Sequence, residues 1–481
     1  MKIKVFAIVE LVIIVALAVA LFISQYVTFR TLAPVVREPG APGESTISYT
    51  PLPHPKFPVA AVRQLVFLRQ LTQPEIEKVT DDIYLARGFA MGNVGMVVTD
   101  DGLVIIDTTE SPETARQILE EFRNISDKPI RYIIYTHGHI DHVQGTEVFM
   151  EPGAEVIATS DAVEFMGKDL GWLSEFHVRS RTNQAGEAAE AYSLPLPVGS
   201  PIRAIRAEGE VVYPTITFDK EYSFALGGKK FELYHTWGET PDQLMVWLPD
   251  EEALFAGDLF CAWFPNLSTP MLESRPVKAW YESLDRMVAL EPAYLIPGHT
   301  AALDGEEEIH DTLVNYSRAV RYVYEETVKA VNEGKSVEEA VQSIKLPEEL
   351  AKLPYLQEVY GRVDWSVRGT YLGLTGWYDG SGTNLAPAPP QYCAREIVNL
   401  AGGADKILVR AIELQDSGDH QLACELCDIV LAANPDDRLA HIVKAVSLEY
   451  LGYSYFNLNT FGFYRSASAL EREAAGTKPT E

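Results

Sequence analysis

Tyr132-Ile133-Ile134-Tyr135-Thr136 runs directly into His137-Gly138-His139-Ile140-Asp141-His142, and this stretch decides the fold. Its first half is a short apolar run of β-branched and aromatic residues, the composition of a buried strand. Its second half places three imidazoles and a carboxylate within six residues at the end of that strand. Both donor types suit zinc, and the H-x-H-x-D-H spacing presents two pairs that can face two neighbouring metals. A lone histidine is usually a satisfied core or surface group. Three of the chain's 10 histidines in one loop form a ligand cluster.

Working outward, short strands alternate with helices from about Val79 to His299. Gly95–Val98 and Leu103–Asp107 are joined by Asp100-Asp101-Gly102, a hairpin signal. Ser111-Pro112 then starts a helix to about Phe122, with proline at its first position. Val156–Ala158, Phe231–Tyr234, Leu244–Leu248, Ala253–Phe255 and Tyr294–Ile296 read as further strands, and Gln184–Arg206 as a long loop. Beyond His299 the pattern is helical. Glu306–Glu333 is long and amphipathic, and Gly373–Pro390 is a glycine- and proline-rich break. Glu396–Tyr450 then holds three or four helical segments. Within them, Ala411 to Pro435 resembles one tetratricopeptide helix-turn-helix. A single repeat cannot bury its own face, so this segment must pack on something, such as a second subunit.

The 481 residues are enough for roughly three domains, and 47% are apolar, which excludes global disorder. Forty basic and 68 acidic residues give −28 at pH 7. Such a surface repels phosphate backbones, so no nucleic-acid partner is expected. Four cysteines are too few for a disulfide scaffold. Cys424 and Cys427 form a lone C-x-x-C, read as two core residues on one helix face because a zinc ribbon needs a second pair. At the N-terminus, Lys2 and Lys4 precede an apolar stretch from Val5 to Phe29. It reads as an uncleaved membrane anchor, with secretion after signal cleavage near Ala18-Val19-Ala20 as the alternative. Either way the bulk of the chain is exported, facing the periplasm or cell exterior. The expected organisation is an anchor or signal over 1–30, a proline-rich extended spacer over 31–74, a catalytic domain over 75–300, a helical extension over 301–380 and a helical domain over 381–481.

Thr136–His142 resembles the signature of the metallo-β-lactamase superfamily. The resemblance implies further ligand positions at later strand ends. Glu239, in His235-Thr236-Trp237-Gly238-Glu239-Thr240-Pro241, occupies the third, where a histidine is usual. Asp258 follows in Ala256-Gly257-Asp258, and His299 in Pro297-Gly298-His299. Asp107 resembles the early non-ligating aspartate. The glutamate at the third position is similar to the alkylsulfatase branch, as are Phe264-Pro265-Asn266-Leu267, Gly376-Trp377-Tyr378-Asp379-Gly380 and Leu400-Ala401-Gly402-Gly403-Ala404. Two departures stand out. The loop after Leu267 has one arginine, Arg275, where the branch carries two. No histidine stands near Tyr360-Gly361-Arg362, where the branch has one thought to protonate the leaving group.

The resemblance implies an α/β fold: an αββα metallo-β-lactamase sandwich, then an all-α, tetratricopeptide-like dimerisation domain. It implies two zinc ions per chain. His137, His139 and Glu239 would hold one, Asp141, His142 and His299 the other, with Asp258 bridging. The expected activity is hydrolysis of sulfuric esters, alkyl or aryl sulfates, by a metal-activated water, with Asp141 and Asp258 as catalytic residues and a homodimer as the assembly. The alternative is another hydrolase on this scaffold, a lactonase, phosphodiesterase or thioesterase. Asn266 can donate to a sulfate oxygen or simply serve as a turn residue. Arg275 can offer the sulfate a bidentate fork or form a surface ion pair with Glu273 or Glu282. Phe260, Trp263 and Phe264 can line an alkyl channel or pack in the core. His177 and His235 carry no functional assignment.

Overall fold

The computed structural model describes residues 35–38, 46–53, 73–185, 209–272, 275–455 and 457–476. The apolar N-terminal stretch and most of the proline-rich segment lie outside the described residues. Among the described residues, no helix is long and apolar enough to cross a membrane.

The chain divides into two units. The first joins two strands, β1 (Val35–Arg37) and β2 (Ile47–Tyr49), to five helices between Pro390 and Ala474. The strands pair antiparallel, with Val35 opposite Tyr49. Here the structure differs from the extended spacer expected over 31–74. Ile47 and Tyr49 share one face of β2 and are buried with Leu408, Ala411 and Val430 of the helices. Arg37 also lies 2.8 Å from the buried Asp437 carboxylate. Two apolar side chains and an ion pair thus convert part of a proline-rich stretch into a docked ribbon. The helices Ala404–Asp416 and His420–Ala433 form the expected helix-turn-helix. Asp419 caps the second by accepting from Leu422 N. Cys424 and Cys427 are buried on its inner face, and burial pushes the Cys424 thiol up to about 12.

The second unit is an αββα sandwich. One sheet has seven strands in sequence order: β3 (Glu75–Lys78), β4 (Ile83–Arg87), β5 (Val94–Val98), β6 (Leu103–Ile106), β7 (Ile130–Ile134), β8 (Glu155–Thr159) and β9 (Ile216–Phe218). The other has six: β10 (Glu221–Leu226), β11 (Lys229–His235), β12 (Leu244–Leu248), β13 (Ala253–Gly257), β14 (Tyr294–Pro297) and β15 (Leu303–Asp304). Alternation along the strands assigns each face its layer. Val104 and Ile106 of β6 pack with Phe231, Leu233 and Val246 between the sheets. Leu103 and Ile105 pack with Ala115, Ile118 and Phe122 of the helix Pro112–Arg123. Trp247 and Leu254 face the helices Val277–Ala289 and Glu306–Asn332 on the far side. Both faces of β6 and β12 are buried, which explains why they read as continuous apolar runs.

β6 to β9 run parallel, as do β13 and β14. Connections leaving the carboxyl ends of parallel strands therefore gather at one edge, where α/β sheets characteristically bind ligands.

Candidate metal centre

Each predicted ligand arrives on a strand end or the turn that follows it. β7 delivers Thr136 and His137. Ile140–Val143 then makes one helical turn carrying Asp141 and His142. The turn from β11 to β12 carries Glu239, whose N–H donates to Gln243 Oε1 at 3.2 Å. β13 ends before Asp258, and β14 before Gly298-His299. Gly298 is required by space, since a Cβ there would lie 2.4 Å from Asp258 Oδ1 and 3.0 Å from His142 Cε1.

The structure brings all seven positions together. Three overlapping groups each have donor atoms within 4.8 Å of one another: His137, His142 and Asp258; Asp141, His142 and His299; His139, Glu239 and Asp258. Asp258 sits between the sets, its Oδ2 3.0 Å from His299 Nε2 and 3.7 Å from His137 Nε2. His142 Nε2 is 3.5 Å from Asp258 Oδ1 and 3.6 Å from Asp141 Oδ2.

The imidazoles are oriented from behind. Asp107, buried and at φ +60°, accepts from Thr136 N (2.7 Å) and Thr136 Oγ1 (2.8 Å). Its Oδ2 also accepts from His142 Nδ1 at 2.8 Å, which leaves His142 Nε2 facing the cluster. His299 Nδ1 donates to Met91 O at 2.8 Å. Buried Asp242 accepts from Gly138 N at 2.7 Å and holds the H-x-H loop.

Electrostatics set these groups against one another. Burial holds the His137 imidazole well below its ordinary range, and His139 falls to about 4 for the same reason. Burial also opposes charge on His299, but the carboxylates of Asp258 and Asp141 together outweigh it and lift His299 to about 9. At Glu239 burial raises the carboxyl to about 7, against the pull of Arg275. The donor set is nitrogen and carboxylate oxygen, as divalent transition metals require. Two of its buried atoms, His142 Nε2 and Asp258 Oδ1, have no hydrogen-bond partner among the described residues. Leaving buried polar atoms unpaired is costly, and a divalent cation between them satisfies both. The residues fit the metal.

Around the cluster, several positions differ from expectation. Arg275 forms no surface pair. It is 9% exposed, its Nη2 lies 2.7 Å from Glu239 Oε1, and its Nη1 donates to Asn266 O. Glu282 pairs instead with Lys278, while Glu273 lies outside the described residues. The buried carboxylate at the third ligand position attracts the arginine, whose charge is the strongest pull against the rise that burial imposes on Glu239. Asn266 is buried, and neither its Nδ2 nor its Oδ1 has a partner among the described residues. Phe260, Trp263 and Phe264 are all buried. Phe260 packs edge-on against Tyr316 and Trp263 lies between His299 and Tyr360, so this is packing and not an open channel. His235 is structural: its Nδ1 and Nε2 lie 2.7 and 2.8 Å from the carbonyls of Asp219 and Pro241.

Sequence reasoning missed Tyr360. Gly361 N donates to Phe264 O at 3.1 Å, and a Cβ on Gly361 would strike Pro265 O at 2.0 Å. That close approach sets the Tyr360 ring 5.9 Å from Trp263, within the field of Glu239, Arg275 and Asp141. Burial and then the Glu239 charge hold its phenol well above the ordinary range, so it stays an O–H donor. The glycine beside the position lacking a histidine was the available signal.

Residues 87–299 match the metallo-beta-lactamase superfamily, and residues 336–474 match the alkyl sulfatase dimerisation domain. Fold and site thus define a metallo-β-lactamase-type hydrolase with an appended helical dimerisation region. A linear primary-alkylsulfatase of Pseudomonas sp. is 33% identical over 394 residues, covering 79% of this chain and 74% of the relative. The chain belongs to the alkylsulfatase family. An (R)-specific secondary-alkylsulfatase of Pseudomonas sp. is 28% identical, and the alkyl/aryl-sulfatase BDS1 of Saccharomyces cerevisiae 25%. These matches cover 79% and 78% of this chain, which spans 60% of each relative's length. The solved structure of the stereoselective inverting sec-alkylsulfatase Pisa1 from Pseudomonas sp. has the same fold. It superposes with a TM-score of 0.78 at 24% identity, over 96% of this chain and 75% of that one.

Proposed function

We propose that this protein hydrolyses alkyl or aryl sulfates at a dinuclear zinc centre. His137, His139 and Glu239 would hold one ion, Asp141, His142 and His299 the other, with Asp258 placed to serve both. The observation that carries the reading is Glu239 converging with His139 and Asp258 while salt-bridged to buried Arg275. A third-position carboxylate belongs to the pattern of alkylsulfatases, and the matched dimerisation region agrees with it.

When bound, two divalent ions act as Lewis acids and bring a water's pKa towards neutrality. The chain's own residues do the rest. Three ligand carboxylates and Arg275 sum to −2, so two divalent cations leave the site positive and able to draw a sulfate ester towards a protein of net charge −28. Asn266, with unspent donor and acceptor capacity, hydrogen-bonds a sulfate oxygen through Nδ2. Arg275 commits one N–H to Glu239 and another to the Asn266 carbonyl. It fixes both walls of the sulfate site and has further N–H groups to offer. Asp107 and Asp242 keep the imidazole loop in register. The products are an alcohol and sulfate, with one proton released.

The homodimer is part of the proposal. Helix Pro390–Ala401 buries only Ala394 and leaves Tyr392, Ile397 and Leu400 exposed, an apolar face suited to a second copy. Export, with the Val5–Phe29 stretch as anchor, completes it.

The test is metal analysis of the purified chain together with sulfate release from short to long alkyl sulfates and aryl sulfates. Asp141→Ala serves as the inactive control. Two zinc ions per chain and sulfate release lost in that variant are expected. Metal without sulfate release transfers the assignment to a lactonase, phosphodiesterase or thioesterase, and no metal refutes the ligand set.

A further inference from the structure

Glu110 occupies none of the seven ligand positions, yet it is buried at 3% exposure behind the metal centre. Thr109 presents it from φ +64°, a left-handed conformation that β-branched residues rarely adopt. Its carboxylate is fully engaged. Oε1 accepts from Met91 N at 2.8 Å, and Oε2 from Met91 N at 3.0 Å, Gly92 N at 3.3 Å and Thr109 Oγ1 at 2.9 Å. The segment it grips then touches the centre in two places. Met91 O accepts from His299 Nδ1 at 2.8 Å. Gly92 packs so closely on Asp141 that a Cβ there would lie 2.0 Å from Asp141 O. Asn93 ties the same segment to the His299 loop, donating from N to Gly298 O at 2.7 Å and from Nδ2 to Pro297 O and Thr300 O at 3.0 and 2.9 Å.

A carbonyl oxygen only accepts, so His299 Nδ1 carries the proton and Nε2 is left for a metal. The Met91 peptide therefore sets the tautomer and tilt of His299, and Glu110 sets the Met91 peptide. We infer that Glu110 is a positioning residue for the second metal, acting through the Met91–Asn93 segment on His299 and Asp141. This rests on the proposed dinuclear reading. It does not rest on Glu110 reaching substrate, and it predicts an asymmetry that a merely structural carboxylate would not produce, because the hydrogen bonds of the segment that Glu110 holds run, among the described residues, to the His299 side of the centre and not to His137, His139 or Glu239.

The experiment is stepwise zinc titration of the chelator-stripped full chain against a chromophoric competitor, with cobalt absorption as a second readout. Wild type is compared with Glu110→Ala, Glu110→Gln and Ser336→Ala, the last a helix-cap control remote from the centre. Losing an outer-shell partner typically weakens metal affinity 10–100-fold. Glu110→Ala is expected to weaken the second zinc by about that factor while the first stays within about threefold. Glu110→Gln keeps one acceptor and the side-chain volume, so a smaller loss at the second zinc only is expected, on the order of tenfold. It decides the matter should the alanine variant fail to fold. Affinities unchanged from wild type for both zincs in a folded Glu110 variant overturn the proposal, as does equal weakening of both. Fewer than two zincs in the wild type overturns the dinuclear reading and this inference together, which separates that failure from a failure of Glu110 alone.

Discussion

Replacing Arg275 with methionine tests the electrostatics of the centre independently of turnover. In the metal-free chain, burial already lifts Glu239 from 4.5 to about 7 with Arg275 2.7 Å away. Removing one partner of a buried pair costs about 3–5 kcal/mol, equivalent to about 2–4 pKa units. That would carry Glu239 to at least about 9 in the variant. A carboxyl raised on folding makes the protein lose stability as pH climbs from its unfolded to its folded pKa. At pH 6 Glu239 is largely protonated in both proteins, and the loss is that of the hydrogen bonds to Asn266 O and to the neutral Glu239 carboxyl, about 1 kcal/mol each. Above pH 7 the wild-type penalty levels off while the variant's keeps growing by about 1.4 kcal/mol per pH unit. The gap should therefore widen by about 3 kcal/mol by pH 9. Urea unfolding of chelator-treated protein at pH 6, 7, 8 and 9, followed by tryptophan fluorescence and far-UV circular dichroism, reads this directly. Zinc should close most of the gap, because the ion supplies the positive charge that Arg275 supplied. A gap constant across the pH range would refute the reasoning, and so would one as wide with zinc as without.

Four further outcomes follow from the same geometry. Asp107→Asn keeps a residue tolerant of φ +60° but loses the acceptor for His142 Nδ1, so zinc affinity should fall about 10–100-fold in a chain that still folds, by chelator competition. Burial raises Asp242 from 3.8 to about 6, so the metal-free wild type should lose about 3 kcal/mol between pH 4 and pH 7 that Asp242→Asn does not, measured by the difference in unfolding midpoints. Tyr360→Phe should leave metal content unchanged and slow release from alkyl sulfates by about 10²-fold or more. Aryl sulfates, whose leaving group needs less protonation, should be affected less, as a comparison of kcat on the two classes would show. Leu400→Asp should shift the chain from dimer to monomer in light scattering, since Leu400 is 87% exposed on the helix proposed to meet a second copy.

The parts legible in the sequence were those whose cause is local. β7 and its histidine loop could be read from one uninterrupted stretch, and β12 and β13 from apolar runs buried on both faces. β10 was missed although Glu221–Leu226 alternates polar and apolar residues, the period-two signal of a half-exposed edge strand, and it pairs with β11. The ligands after strand ends needed the superfamily pattern as well as the residues. Arg275 went astray because sequence proximity suggested Glu273 or Glu282, whereas the partner is 36 positions upstream in another strand connection. Glu110 carries no motif, and Asp242 and Tyr360 stand in segments compared with the alkylsulfatase branch without a role of their own being readable there. Their importance lies in buried hydrogen bonds and fields that only the closed sandwich creates. The β1–β2 ribbon was hidden by its prolines, which describe the flanks and not the two side chains that dock.

That the centre draws on both sheets also constrains the order of biosynthesis. His137 leaves the ribosome about 160 residues before His299, which at 5–20 residues per second is an interval of about 8–30 s. For roughly the first 100 of those residues the H-x-H-x-D-H loop exists without Glu239 or Asp258, and throughout the interval the second site lacks His299. An incomplete set of imidazoles selects poorly among first-row metals and favours copper over zinc. Correct loading is therefore a late event, best carried out after β14 has closed the second sheet, in whatever compartment the finished chain first meets its metal.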